Sequence, residues 1–341
     1  MVLASIFLIS VIALGALSTG LVLGWLRRRA ILDAPNARSN HDTPTPRGGG
    51  IAIVLTVAAG WTMLWSARPE QVADLAPGML GAALCLAVVS WIDDIRGLGA
   101  SIRLPAHLAA CAAGVWALPG EGALFQGLVP VWLDGSLTVL IWAGFLNFYN
   151  FMDGIDGITG VETIGVAAGV AALCWFVPTL GAAGPGLVLA AAAIGFLVWN
   201  WPPAKLFMGD VGSVPIGYCL GWFLILLASQ GAWAAAIILP AYYLADAGLT
   251  LLRRAARMEK VWQAHREHFY QRAVAGLRAN GASRAAAHRH VTARIAVVNA
   301  VLVALAIVSL NSPLPALVGA AIVVGALLWW LARSSRVPAS S

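Results

Sequence analysis

The sequence falls into eleven apolar runs separated by charged or turn-rich breaks, near residues 2–26, 50–66, 76–92, 103–118, 136–152, 161–180, 185–201, 213–229, 232–252, 292–310 and 314–332. A helix needs roughly 20 mainly apolar residues to cross a bilayer, and somewhat shorter runs are accommodated by tilt or local thinning. Hydrophobic residues make up 60% of the 341 and charged residues only 11%, under half the usual share of about 25% for a soluble domain. One soluble core of this size cannot hide so much apolar surface. The reading is therefore an all-α, polytopic membrane helix bundle of about eleven transmembrane helices, forming a single integral membrane domain over 1–341. Residues 2–26 exceed a signal-peptide apolar region and have no basic residue in front of them.

Lys and Arg sort by side. The connections 27–49, 93–103 and 253–291, together with Lys205, Arg294 and the tail, hold 20 of the 21, and Arg68 alone falls on the other side. Positive charge stays cytoplasmic, so the N-terminus is expected outside, the C-terminus inside, and 253–291 as a cytoplasmic loop. Topology thus explains the net charge of +6 without a nucleic-acid partner. Cys85, Cys111, Cys174 and Cys219 lie in apolar runs with neither metal-site spacing nor a disulfide framework; they read as small core residues.

The acids sort too. Glu70, Asp74, Glu121 and Asp134 fall in expected outer loops and receive no role. Asp93, Asp94, Asp153, Asp156 and Asp210 all fall at cytoplasmic ends of spans, from three separate loops. Carboxylates gathered on one face repel one another unless a cation is present, and oxygen donors suit Mg²⁺ or Mn²⁺. Asn147, Asn150, Asp153 and Asp156 recur every three residues, which on a helix end places them along one side. Gly154 and Gly157 allow a backbone or ligand to come close. In Phe207-Met208-Gly209-Asp210-Val211-Gly212-Ser213, Asp210 opens a spanning helix that Ser213 could cap, and a helix N-terminus favours an anion.

Two more segments stand out. His265-Arg266-Glu267-His268 lies in the basic loop 253–291; with no third nitrogen or sulfur ligand near, phosphate contact is preferred to zinc. Asp33 to His41, then Pro44-Thr45-Pro46-Arg47-Gly48-Gly49-Gly50, makes a loop stiffened by Pro and opened by Gly. His107, His288 and His290 read as structural or interfacial. Asp246, inside the ninth run, reads as an acid fixing helix packing and is placed outside the core site, although intramembrane acids are functional candidates in general.

Together these segments resemble the polyprenyl-phosphate N-acetylhexosamine-1-phosphate transferase superfamily, from about residue 33 to 272. The resemblance rests on the Asp93-Asp94 pair, the stretch Asn147 to Gly157, and Met208-Gly209-Asp210. It implies a bundle of ten or eleven helices around a cytoplasmic-face cleft in the bacterial inner membrane, commonly a homodimer. It also implies transfer of a HexNAc-1-phosphate from a UDP-N-acetylhexosamine to undecaprenyl phosphate, releasing UMP, as the first membrane step of a surface polysaccharide such as O-antigen. By resemblance Asp210 and Asn150 are magnesium ligands, Asp93 and Asp94 lie near the lipid phosphate, and Asp153 and Asp156 lie near the nucleotide or metal. His265 and His268 match a basic loop that holds the diphosphate. Asn147, Gly154, Arg47 and Arg103 complete the expected substrate-binding set. Arg103 stands where the family often has a Lys, a planar fork in place of a point charge.

The peptidoglycan translocase, phospho-N-acetylmuramoyl-pentapeptide transferase, is the alternative within the superfamily. It carries a triple-His run where this chain has His-Arg-Glu-His, which argues for a donor without a peptide. A membrane lipid transporter is the rival from another class, but its acids would line a mid-membrane path with inverted repeats. None is evident here.

Overall fold

The computed structural model describes residues 2–34, 42–67, 77–118, 124–178, 181–260 and 265–335. Glu70, Asp74, Glu121 and the 35–41 part of the Pro/Gly-rich loop lie outside them. In order, the elements are α1 (Val2–Arg28), β1 (Leu32–Asp33), β2 (Thr45–Pro46), α2 (Gly50–Ala67), α3 (Pro77–Arg96), α4 (Ala100–Trp116), α5 (Val131–Phe151) and α6 (Ile158–Phe176). They continue with α7 (Ala183–Asn200), α8 (Asp210–Ser229), α9 (Trp233–Ile238), α10 (Ala241–Ala256), α11 (Phe269–Ala279), α12 (Arg284–Val308) and α13 (Pro313–Ser334). The fold is all-α apart from β1 and β2, which pair antiparallel with Leu32 opposite Pro46 and Asp33 opposite Thr45.

Among the described residues, nine helices are long and apolar enough to cross a membrane, so the chain is a multi-pass membrane protein. The two other expected runs differ. Run 103–118 becomes α4, which has 17 residues and carries Arg103 and His107. Run 232–252 is broken into α9 and α10 at Leu239-Pro240. Hydropathy passes over that break, but proline has no N–H to give and crowds the preceding turn.

α8 is the axle of the bundle. Nearly every residue in it is buried, and α2, α3, α5, α6 and α9 pack around it. Apolar side chains gain little by leaving lipid for protein, so close packing must supply the cohesion, and small residues permit it. At Gly212 the α8 backbone rests directly on that of Gly50 at the start of α2. Higher up, Trp142 of α5 stacks on Tyr218 with ring centroids 4.5 Å apart, and its indole donates to the Tyr218 carbonyl at 2.9 Å.

Cross-contacts gather the expected cytoplasmic connections at one end. Gly49 N–H donates to Phe207 O at 2.8 Å, Ala204 N–H to Asp156 at 3.0 Å and Tyr270 Oη to Phe151 O at 3.4 Å. At the other end Trp61 donates to Pro185 O and Gln126 to Ala228 O. Asp134 is not a loop residue: it lies in the first turn of α5, buried, and accepts the Leu124 and Phe125 amides at 2.9 and 3.0 Å. It therefore has the structural role of tying the 124–128 turn to α5.

Candidate active site

Asp94 ends α3 with its side chain only 2% exposed. It accepts the Asp210 and Val211 amides, each at 3.0 Å. Those are orphan donors at the N-terminus of α8, where the helix dipole favours a negative charge. A carboxylate from another helix therefore does the capping expected of Ser213. Gly209 makes room for it: its φ is +75°, and a Cβ there would lie 2.6 Å from Asp94 Oδ2. Ser213 instead donates to Asn150 Oδ1 at 2.5 Å, which brings Asn150 to the same turn of α8 as Asp210.

Two arginines knit the acids together. Arg47 Nη2 is 2.8 Å from Asp94 Oδ1 and 3.0 Å from Asp210 Oδ1. Arg103 Nη1 is 3.2 Å from Asp93 Oδ2 and 3.8 Å from Asp210 Oδ2. Asp93 also accepts the Leu98 amide at 2.5 Å, which fixes its rotamer. Burial works against the charge on Arg47, but Asp94 and Asp210 outweigh it and raise its pKa further. Asp153 faces the same cluster and accepts Thr159 Oγ1 at 2.6 Å. It keeps some accessible surface, yet burial first, then Asp210, push its carboxyl up to about 6 against the opposing Thr159 and Arg47.

Asp93, Asp94 and Asp210 thus meet around Arg47 and Arg103, Asp153 lies near enough to feel Asp210 and Arg47, and Asp156 is turned elsewhere. It is 1% exposed and turned toward the α7–α8 connection and α12. Oδ2 accepts Ala204 N–H, and Arg284 lies 3.8 Å away. His288 Nδ1 lies 3.1 Å from Asp156 Oδ1 and 3.2 Å from Asp156 N. One ring nitrogen cannot donate to the carboxylate and accept from the amide at once, so the tautomer decides which bond is made. Burial pushes the Asp156 carboxyl up, but His288, the Ala204 amide and Arg284 outweigh it and the net shift is downward. Asp156 is a buried anchor joining three connections. The period of three misled because α5 ends at Phe151.

The two histidines of the expected pair have different surroundings. His268 is 2% exposed, with Nδ1 3.2 Å from Asp246 Oδ1. Asp246, wholly buried, accepts the Phe269 and Tyr270 amides at 2.9 and 3.2 Å and Tyr242 Oη at 3.1 Å. It caps α11 from α10. His265 is half-buried; burial, then His268 and Arg254, push its pKa down to about 4, which favours the neutral ring.

The two remaining expectations concern Asn147 and Gly154. Asn147 donates to Ala143 O at 2.6 Å, one turn back on its own helix. The close approach at Gly154 is made by protein: Tyr270 Oη and Gln271 Nε2 of α11 occupy the space a Cβ would need. Sequence reasoning missed Tyr270, Gln271, Arg284 and the role of His288. Only the acid-free, Arg-rich stretch around α11 and α12 hinted at them.

Among the described residues no three His, Cys, Asp or Glu side chains form a ready-made metal cage. The donor chemistry nevertheless fits a hard divalent cation. With all ionised, Asp93, Asp94, Asp153 and Asp210 against Arg47 and Arg103 leave two negative charges, and the available donors are oxygens.

The profile of glycosyl transferase family 4 matches residues 76–228, a span that holds all four converging acids and Arg103. A phospho-N-acetylmuramoyl-pentapeptide-transferase of Synechococcus sp. is 31% identical over 253 residues, covering 65% of this chain and 67% of that protein. The chain belongs to glycosyl transferase family 4. It is a sugar-phosphate transferase of the polyprenyl-phosphate N-acetylhexosamine-1-phosphate superfamily. Within the family it is 26% identical over 266 residues to a probable undecaprenyl-phosphate N-acetylglucosaminyl 1-phosphate transferase of Bacillus subtilis, covering 72% of this chain and 70% of that protein. It is 30% identical over 242 residues to a decaprenyl-phosphate N-acetylglucosaminephosphotransferase of Mycolicibacterium smegmatis, covering 60% of this chain and 56% of that protein.

Proposed function

We propose that this family-4 enzyme transfers a HexNAc-1-phosphate from a UDP-N-acetylhexosamine to undecaprenyl phosphate at the cytoplasmic face of the inner membrane. The observation that carries the reading is the convergence of Asp93, Asp94, Asp153 and Asp210 with Arg47 and Arg103 at one end of a membrane bundle. A water-soluble nucleotide and a lipid-borne nucleophile can meet only at such a boundary. The Arg clusters support a cytoplasmic position for that end.

An oxygen of the acceptor phosphate attacks the sugar-bound phosphorus. The bond to the bridging oxygen of the diphosphate breaks, and UMP leaves with its electron pair. A phosphomonoester has a second pKa near 6, so the nucleophile is largely dianionic at cytoplasmic pH and no strong base is needed. Asp93, fixed by Leu98 N–H and Arg103, orients the acceptor and takes any residual proton. Arg103 and Arg47 offer guanidinium forks to phosphate oxygens. Asp210, with Asp94 behind it and Asn150 on the same turn, would hold Mg²⁺ (or Mn²⁺). Bound there, the metal supplies charge neutralisation at the diphosphate.

The acceptor's tail has a matching surface. An apolar groove of about 770 Å³ runs from the 124–128 turn, at the end away from the acids, along α5 as far as Phe148, beside the break at Pro240. The peptidoglycan translocase reading stays as the second, supported by the Synechococcus relative. A donor panel separates the two. Purified protein with undecaprenyl phosphate should release UMP from UDP-N-acetylhexosamines and leave UDP-N-acetylmuramoyl-pentapeptide unused. Turnover of the pentapeptide donor alone would reverse the assignment, and no UMP from any donor would remove it.

A further inference from the structure

The cation found among the acids is the protein's own. Arg47 Nη2 lies between Asp94 Oδ1 and Asp210 Oδ1, at 2.8 and 3.0 Å. This is where two carboxylates from different helices would otherwise confront each other. The backbone around Arg47 cannot retreat. The 47–50 segment is laced to 207–208 by Gly48 and Gly49 amides on Phe207 O at 3.2 and 2.8 Å and by the Gly50 amide on Met208 O at 2.8 Å. Gly50 also rests on Gly212. The side chain is different: it is long, 36% exposed and open on one side. Asp94 would not follow it out, because the Asp210 and Val211 amides hold both Asp94 oxygens from behind. Withdrawal of the guanidinium leaves two facing carboxylate oxygens without their bridging partner. It also frees a planar five-donor fork beside the place where an anionic donor must sit.

We propose that Arg47 is a resident counter-ion that competes with the divalent cation for Asp94 and Asp210. It releases them only when the donor's diphosphate offers it a replacement partner. The inference rests on the metal-assisted reading above and deepens it: metal and donor bind synergistically, because each removes the obstacle to the other. Coupling of this kind is reciprocal. The arrangement keeps the two carboxylates neutralised before the donor binds and disfavours capture of a cation without substrate.

The test is Mn²⁺ binding, read by electron paramagnetic resonance on the purified full chain, with and without UDP as the diphosphate probe. In the unaltered protein, UDP should tighten Mn²⁺ binding by at least about tenfold, within the usual range of site-to-site coupling. In Arg47→Met, which keeps length and loses charge, Mn²⁺ without UDP should bind more tightly than in the unaltered protein, and the UDP effect should shrink. Arg47→Lys, which keeps charge, should retain weak Mn²⁺ binding without UDP. Equal Mn²⁺ affinity in Arg47→Met and the unaltered protein would overturn the competition, as would UDP having no effect on the unaltered protein, a measurement that needs no variant to fold. Absence of Mn²⁺ binding by the unaltered protein even with UDP would instead strike the metal reading itself.

Discussion

Asp246 joins the broken ninth span to the catalytic end, and its removal has a calculable consequence. Asp246→Ala takes away the acceptor for the Phe269 and Tyr270 amides and for Tyr242 Oη, all in a buried setting. An orphaned buried donor costs about 1–3 kcal/mol. His268 Nδ1 and Thr250 Oγ1 lose the same partner, but the first three donors alone, with some relief from water entering the space of the lost side chain, give about 3–5 kcal/mol, borne mostly at the α10–α11 junction. Tyr270 and Gln271 then lose the register that presses them against Gly154, the neighbour of Asp153. The expected outcome is rapid hydrogen exchange at the Phe269 and Tyr270 amides and a fall in kcat for UMP release of at least about tenfold, equivalent to about 1.4 kcal/mol. Helices far from the junction should keep their protection. Asp246→Asn, which retains one acceptor oxygen, should show a smaller version of both effects. Unchanged exchange at 269–270 in Asp246→Ala would refute the capping role, and unchanged kcat alongside faster exchange would refute the link to Asp153.

Three other outcomes follow from the same geometry. Gly154→Ala should impair turnover because its methyl group meets Tyr270 Oη, and adding Tyr270→Phe should restore part of it; steady-state kinetics of the single and double variants decide. Gly209→Ala should abolish transfer, since a Cβ collides with Asp94 at a backbone φ of +75°; near-normal UMP release would count against Asp94 as the cap of α8. Asp153 has a raised carboxyl pKa of about 6, so the folded metal-free protein binds that proton more tightly than the unfolded chain and loses stability as pH rises from about 4 to about 6. Asp153→Asn should therefore stabilise the metal-free protein at pH 7 by about 1–2 kcal/mol after allowance for partial exposure. The gain should vanish below about pH 4, and a melting series across pH checks it.

Contiguous features were legible from residue order alone. Apolar runs announce spans because lipid tolerates little else, and the acids of Trp91–Asp94 and Phe207–Ser213 announce a site because each sits at a helix end where charge is affordable. Features made by distant residues were not legible. Asp156 carries the same letter and spacing as Asp153, yet its environment is set by His288, 132 residues away. The His265–His268 spacing gives no sign that Asp246 claims one ring and burial neutralises the other. The ninth run hides its break because hydropathy averages over Pro240. Arg47 was legible as a substrate-binding candidate, but its place between two acids depends on the pairing of the 47–50 and 207–208 segments, which no local pattern announces.

The central question is whether a divalent cation and the donor's diphosphate share the pocket of Asp94 and Asp210. Phosphorus electron–nuclear double resonance on the Mn²⁺-loaded protein with a UDP-N-acetylhexosamine measures that contact. A phosphorus coupling in the unaltered protein that disappears in Asp210→Asn is the predicted result. Turnover of the same donor with no phosphorus coupling to the metal, or a coupling that survives Asp210→Asn unchanged, would contradict it.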